Sequence, residues 1–195
     1  KLWLDNQIDA RSTVIVDGPR MLGKKPAHFP PSTIIGIADT PAKRIPHGIF
    51  TQDWVARFYA HVYPYVVQHP DRMFLVKPKY DHSNGMPSFL RTRLCRLPNV
   101  ELLEANSNPW TIIVRCGILV CLPFSSIGVA ALSVGRRVIF YDPTGAATYY
   151  PDSSLRAHYV TGGLAALQTA LTQEESCPKR EFFSEQVSVS SAASS

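Results

Sequence analysis

The chain has 195 residues, 45% of them hydrophobic, with a formal net charge of +5 and a pI near 9.1. That length supports one ordinary core and part of another. The longest apolar stretch, Ile112 to Val134, is broken by Arg115, Pro123 and a serine pair, which excludes it as a bilayer-spanning helix.

The start carries no secretory-signal pattern. "STVIVDGPRM" (Ser12–Met21) reads as an isolated strand and turn, and "GKKPAHFPPS" (Gly23–Ser32) as a proline-rich linker. Residues 1–31 are therefore expected to be the tail of a preceding domain plus a linker. From Ser32 the pattern changes. "STIIGIADT" (Ser32–Thr40) predicts a buried strand. "TQDWVARFYAHVYPYVVQHP" (Thr51–Pro70) predicts a helix with Thr51 as N-cap, Asp53 in the first turn, and Trp54, Phe58, His61 and Val62 at helical spacing. Pro64 predicts a kink or break within it.

"RMFLVKPKY" (Arg72–Tyr80) predicts a second strand, with a short helix after it around Ser88–Leu97. "NVELLEAN" (Asn99–Asn106) is a third strand, and Asn108 with Pro109 opens a short helix to Cys116. "GILVCLPF" is a fourth strand, "SSIGVAALSVG" a helix ended by Gly135, and "RRVIFYDP" a fifth strand. A weaker run, "AHYVTG", precedes a last helix, "GLAALQTALTQ". Residues 176–195, ending in "SVSSAASS", form a low-complexity tail expected to be disordered at its end. Strands apolar on both faces, alternating with helices, predict an α/β class: a Rossmann-like, doubly wound, mostly parallel sheet over residues 32–175.

Four cysteines, Cys95, Cys116, Cys121 and Cys177, form no CxxC pair. Free buried thiols in a reducing, cytoplasmic setting are the expectation. The dispersed positive charge suits a small anion or an acidic membrane surface as well as a nucleic acid, and no RNA-binding aromatic signature is present.

In a doubly wound sheet, ligands bind at the carboxyl ends of the strands. Asp39 and Thr40 follow the first strand; Lys77, Lys79 and His82 the second; Glu104 and Asn106 the third; Ser125 and Ser126 the fourth; Tyr141, Asp142 and Thr144 the fifth. Ser125 and Ser126 sit where a strand meets a helix start, a place that holds an anion well, although Ser125 also suits a plain N-cap. Lys77 and Lys79 flank Pro78 and share a side if the chain stays extended; they fit a phosphate or a solvated strand end. Glu104 fits a base or ribose contact, or a loop acid. Asp142 fits a sugar hydroxyl, or turn nucleation with Pro143. No metal-ligand spacing, GxGxxG or P-loop occurs.

Taken in order, "KPK" after one strand, then "PFSS", then "VIFYDPTG" resembles the C-terminal, donor-binding half of GT-B glycosyltransferases that build bacterial surface polysaccharides. The nearest pattern is that of enzymes using CMP-linked Kdo or sialic acids. The resemblance covers about Ser32 to Thr172. It implies that Ser125, Ser126, Lys77 and Lys79 hold the donor phosphate, although Lys-Pro-Lys stands where the family more often has Lys-Pro-His-Pro. It implies a donor pocket lined by Asp39, Thr40, Glu104, Tyr141, Asp142 and Thr144. It further implies no bound metal or other cofactor beyond the nucleotide-sugar co-substrate, and a glycan or glycolipid acceptor. An acceptor-binding domain preceding this chain is expected, with no nucleic-acid partner. Peripheral association with the inner face of the cytoplasmic membrane fits the same resemblance. No catalytic residue is assigned. Two alternatives stay open: a nucleotide-sugar epimerase of the same shape, and a noncatalytic module of a polysaccharide assembly protein.

Overall fold

A computed structural model describes residues 29–40, 51–80, 85–123, 125–145, 155 and 157–173. The strand expected at 12–21, the C-terminal tail, His82 and Cys177 lie outside the described residues.

Six strands form one parallel sheet: β1 (Ile35–Ala38), β2 (Phe74–Lys77), β3 (Val100–Leu102), β4 (Ile118–Cys121), β5 (Arg137–Asp142) and β6 (Tyr159–Thr161). Their spatial order is β3-β2-β1-β4-β5-β6. Among the described residues, the helices that accompany them are α1 (Gln52–Gln68), α2 (Ser88–Leu94), α3 (Pro109–Arg115), α4 (Ser126–Leu132) and α5 (Leu164–Thr172). The Rossmann-like architecture expected from the apolar alternation is present.

The continuous apolar strands follow from burial on both faces. Ile35, Ile37, Phe74, Val76, Val120, Ile139 and Tyr141 point to one side, where α1, α2 and α5 contribute Phe58, Val62, Leu90, Leu94 and Leu167. Leu75, Leu119, Cys121, Val138 and Phe140 point to the other, against Trp110, Ile113, Ile127 and Ala131 of α3 and α4. For β1, β2 and β4 neither face is left to water, so these strands need no polar alternation.

Local chemistry sets the helix ends. Thr51 accepts from the Trp54 amide and opens α1, and Asn108 accepts from the Trp110 amide and opens α3. Gly135 closes α4 at φ 75°, where its amide reaches the Leu132 carbonyl and the Arg136 amide reaches that of Ala131. That pair of bonds is the Schellman arrangement. Of the kink or break expected at Pro64, no break occurs: α1 runs through it for 17 residues. The missing N–H bond is offset by docking of Val62, Tyr65 and Val66, all 2% exposed or less. Asn99 then satisfies the end of α1, its amide donating to the carbonyls of Val66, His69 and Arg72.

The pair Arg136-Arg137 faces helix ends. Arg136 donates to the Ile113 and Val114 carbonyls at 3.1 and 2.7 Å, and Arg137 donates to the Ala170 carbonyl. Cys116 and Cys121 are buried, as expected, but Cys95 is exposed, because it lies just past the end of α2 on the helix's outer side.

Candidate functional site

The strand order reverses between β1 and β4, which pair in parallel with Ala38 opposite Cys121. Successive helices leave opposite faces of the sheet at such a reversal, and a crevice opens beyond the carboxyl ends of the two strands. Asp39 and Thr40 lie on one side of this point. Leu122 to Ser126, the seam between β4 and α4, lies on the other.

On the β1 side, Asp39 is only 4% exposed. It accepts from the Lys79 amide and, at 3.0 Å, from the Tyr59 hydroxyl. Burial pushes its carboxyl group up to about 7, against the opposing effects of those two bonds and of the Lys77 and Lys79 charges. The Tyr59 hydroxyl is held well above its usual range by its own burial and the neighbouring Asp39 charge. Gly85 closes over the same carboxylate: a Cβ placed there would stand 3.6 Å from Asp39 Oδ2.

The two lysines differ in exposure. Lys77 is 6% exposed and sends its ammonium to the Ala105 carbonyl at 2.7 Å, bracing the loop after β3. Lys79 is exposed, while its amide holds Asp39. The bond from the Lys79 amide to Asp39 draws this segment onto the end of β1.

On the β4 side, Ser125 is 4% exposed and its hydroxyl makes no capping hydrogen bond. Ser126 is exposed in the first turn of α4. Gly128 serves packing: a Cβ there would lie 2.4 Å from Phe140 Cε1 and 2.7 Å from Cys121 Sγ. The close approach it permits is that of α4 to the sheet.

The end of β5 is a second polar cluster. Asp142 is 0% exposed. Its Oδ1 accepts from the Trp54 indole at 2.7 Å and from the Thr144 amide and hydroxyl at 2.9 and 2.8 Å. Its Oδ2 accepts from the Tyr159 hydroxyl at 2.9 Å. Of the two roles open to Asp142, turn nucleation is the one these bonds fulfil. Beside it, the Tyr141 hydroxyl donates to the Gly162 carbonyl at 2.7 Å, so its oxygen accepts from His61 Nδ1 at 2.6 Å. This sets the His61 tautomer with the proton on Nδ1. Burial lowers the His61 pKa, with Arg57 adding to the effect, and burial raises Tyr141 to about 12.

Glu104 and Thr144 are exposed, and Thr40 is half-buried. The Glu104 carbonyl accepts from both the amide and the hydroxyl of Ser107, which forms the turn before α3. Ser126, Lys79, Glu104 and Thr144 are thus the accessible members of the expected set. Asp39, Lys77, Tyr141 and Asp142 stand behind them as buried supports. Three residues of α1 supply the links: Tyr59 to Asp39, and Trp54 and His61, which helical spacing places on the apolar face, to Asp142 and Tyr141.

Among the described residues, no group of three or more His, Cys, Asp or Glu is placed to hold a metal ion, and no helix is long and apolar enough to cross a membrane.

A sequence model of the family described as "Polysaccharide biosynthesis PFTS motif protein" matches residues 4–171. No curated protein matches the sequence. Among solved structures, a UDP-GlcNAc 2-epimerase from Neisseria meningitidis bound to UDP-GlcNAc is similar, with a TM-score of 0.50 and 15% identity. The match covers 73% of this chain and 36% of that one, and at this identity it is a likeness of fold.

Proposed function

The chain belongs to the polysaccharide biosynthesis PFTS motif family, and on that premise we propose that it is the nucleotide-sugar-binding unit of a GT-B-type glycosyltransferase. The observation that carries this reading is the reversal of strand order between β1 and β4, which sets Ser125 and Ser126 beside the Asp39 end of β1. The donor nucleotide lies across that reversal. Its phosphate meets the first turn of α4 and the Ser126 hydroxyl, with the exposed Lys79 at the end of β2 as a cation for it.

The chemistry follows from where charge develops. Loss of a nucleotide leaving group builds negative charge on phosphate oxygens, and fixed N–H and O–H donors stabilise that charge more in the transition state than in the ground state. The first N–H groups of a helix have no carbonyl one turn back, so they are available as such donors. This needs no metal. Asp39 and Asp142, enclosed by protein donors, keep the strand ends in place, and the acceptor is a growing glycan or glycolipid held by a preceding domain.

CMP is the nucleotide favoured by the PFSS and YDPTG pattern, and an ulosonic acid such as Kdo is the corresponding sugar. An epimerase of this shape would need an accessible acid and base in the crevice. Asp39 is closed off by Tyr59, the Lys79 amide and Gly85, which favours transfer. Calorimetric titration of the full chain with CMP, UDP and UDP-GlcNAc tests the proposal. Saturable heat with CMP or UDP supports it, and none at millimolar ligand refutes it.

A further inference from the structure

The outer face of α2 combines an exposed ring with concentrated positive charge. Phe89 is 60% exposed, the highest value among the exposed large hydrophobic side chains of the described residues. The Arg93 guanidinium lies 6.0 Å from the Phe89 ring centroid and 5.9 Å from that of Tyr63 on α1, so it stacks between two aromatic rings. Arg96 is exposed one turn further on, and Arg91 is half-buried. From His82 to Val100 the sequence has three arginines and no Asp or Glu. The next acid, Glu101, is held in a bidentate pair with Arg115, both contacts at 2.6 Å.

What distinguishes this face is the pairing of an exposed ring with arginines and no acid beside it. A polyanion such as single-stranded nucleic acid is gripped in a groove where bases stack in succession. Here a single ring projects from a convex helix with cations beside it. That combination suits a soft anionic interface: the ring enters the boundary between headgroups and acyl chains while the guanidinium groups stay at phosphate level.

We propose that the α2 face is a docking surface for an anionic phospholipid bilayer, with Phe89 inserting and Arg93 and Arg96 engaging lipid phosphates. This goes beyond the nucleotide-sugar reading and stands without it. Topology also gives the surface a position of consequence. α2 starts from the carboxyl edge of the sheet, where Gly85 lies against Asp39. The start of α2 therefore lies on the same edge of the sheet as the β1–β4 crevice.

Co-sedimentation of the full chain with phosphatidylcholine vesicles, with and without one-third phosphatidylglycerol, is the test. Binding is expected with phosphatidylglycerol only, and it should weaken as salt rises. Arg93→Gln with Arg96→Gln should lower the partition coefficient about fivefold per arginine. Phe89→Ser should lower it about tenfold, whereas Phe89→Leu, which keeps an apolar side chain, should retain most of it. Lys24→Gln with Lys25→Gln removes the same charge from a stretch of sequence outside α2 and should leave binding within about twofold. Circular dichroism checks that each variant is folded. Three results would overturn the proposal: no binding to either vesicle, binding unchanged in the Phe89 and arginine variants, or an equal loss in the Lys24/Lys25 variant. Binding to soluble polyphosphate without binding to vesicles would also overturn it, in favour of a polymeric anion.

Discussion

Trp54 donates its indole N–H to Asp142 Oδ1 at 2.7 Å, joining the first turn of α1 to the end of β5 across 88 residues of chain. The same carboxylate collects the Thr144 amide and hydroxyl and the Tyr159 hydroxyl. One wholly buried side chain therefore ties together α1, β5, β6 and the turn that edges the crevice. Removing it strands several donors at once, and the cost of an unmet buried donor exceeds the gain from a made one. Asp142→Ala should lower stability by about 3–5 kcal/mol, and Trp54→Phe, which strands nothing but loses one donor, by about 1–3 kcal/mol. Urea unfolding measures both. A cost below about 1 kcal/mol for Asp142→Ala would show that the cluster does not hold the fold.

Gly128 offers a sharper packing test. Helix propensity alone favours alanine over glycine by about 1 kcal/mol. The Cβ, however, would meet Phe140 and Cys121, both 0% exposed and without room to withdraw. Overpacking of this kind costs roughly 1–3 kcal/mol, so Gly128→Ala should be net destabilising and lower the Tm by several degrees. Phe140→Leu in the same chain should recover part of the loss by removing the ring. A more stable Gly128→Ala protein would mean that α4 sits further from the sheet.

The strands and helices were legible because their signals are local. Apolar runs such as Ile35–Ala38 and Leu119–Cys121 read as doubly buried, and Thr51, Asn108 and Gly135 mark helix ends through their own backbone chemistry. The linking residues were hidden for an equally physical reason. Trp54, Tyr59 and His61 each have an apolar body and a polar tip. Helical spacing registers the body, while the tip's partner lies at or just past the end of a strand 20 to 88 residues away. The unequal exposure of Lys77 and Lys79 was hidden as well. Alternation predicts a shared side only while the chain stays extended, and the contact between Asp39 and the Lys79 amide is tertiary.

Asp39 should make stability depend on pH. Its pKa is raised from 3.8 to about 7 in the folded protein, so between those values the folded state holds a proton that the unfolded chain releases. The sign follows: the stabilising contribution is full below about pH 4 and is lost as pH rises through 7. The loss is bounded at roughly 4 kcal/mol, because a tenfold change in acidity is worth about 1.4 kcal/mol. Asp39→Asn keeps the shape, can accept from the Lys79 amide and donate to the Tyr59 oxygen, and cannot ionise. Its stability, measured by urea unfolding from pH 4.5 to 8, should fall less steeply than that of the native chain, and it should be the more stable of the two at pH 8. Parallel profiles would show that Asp39 does not titrate in this range.

The serine pair separates the nucleotide site from everything else in the molecule. Ser126 is exposed and Ser125 makes no capping bond, so removing both hydroxyls should disturb the fold little. An α4 that used Ser125 as a capping residue would lose about 1 kcal/mol on Ser125→Ala; here the change should stay within about 0.5 kcal/mol. If the seam holds a donor phosphate, the double variant Ser125→Ala/Ser126→Ala should weaken nucleotide binding by on the order of 1–3 kcal/mol, or roughly 5- to 150-fold in Kd. Lys79→Gln should weaken it less, because an exposed ammonium in water interacts through a high dielectric. Binding to phosphatidylglycerol vesicles should be unaffected by all three changes, since the α2 face is untouched. Calorimetry with CMP and UDP, run beside thermal melts, distinguishes the outcomes. Unchanged affinity with unchanged stability would remove the serines from the site and leave the crevice without its anion-holding group.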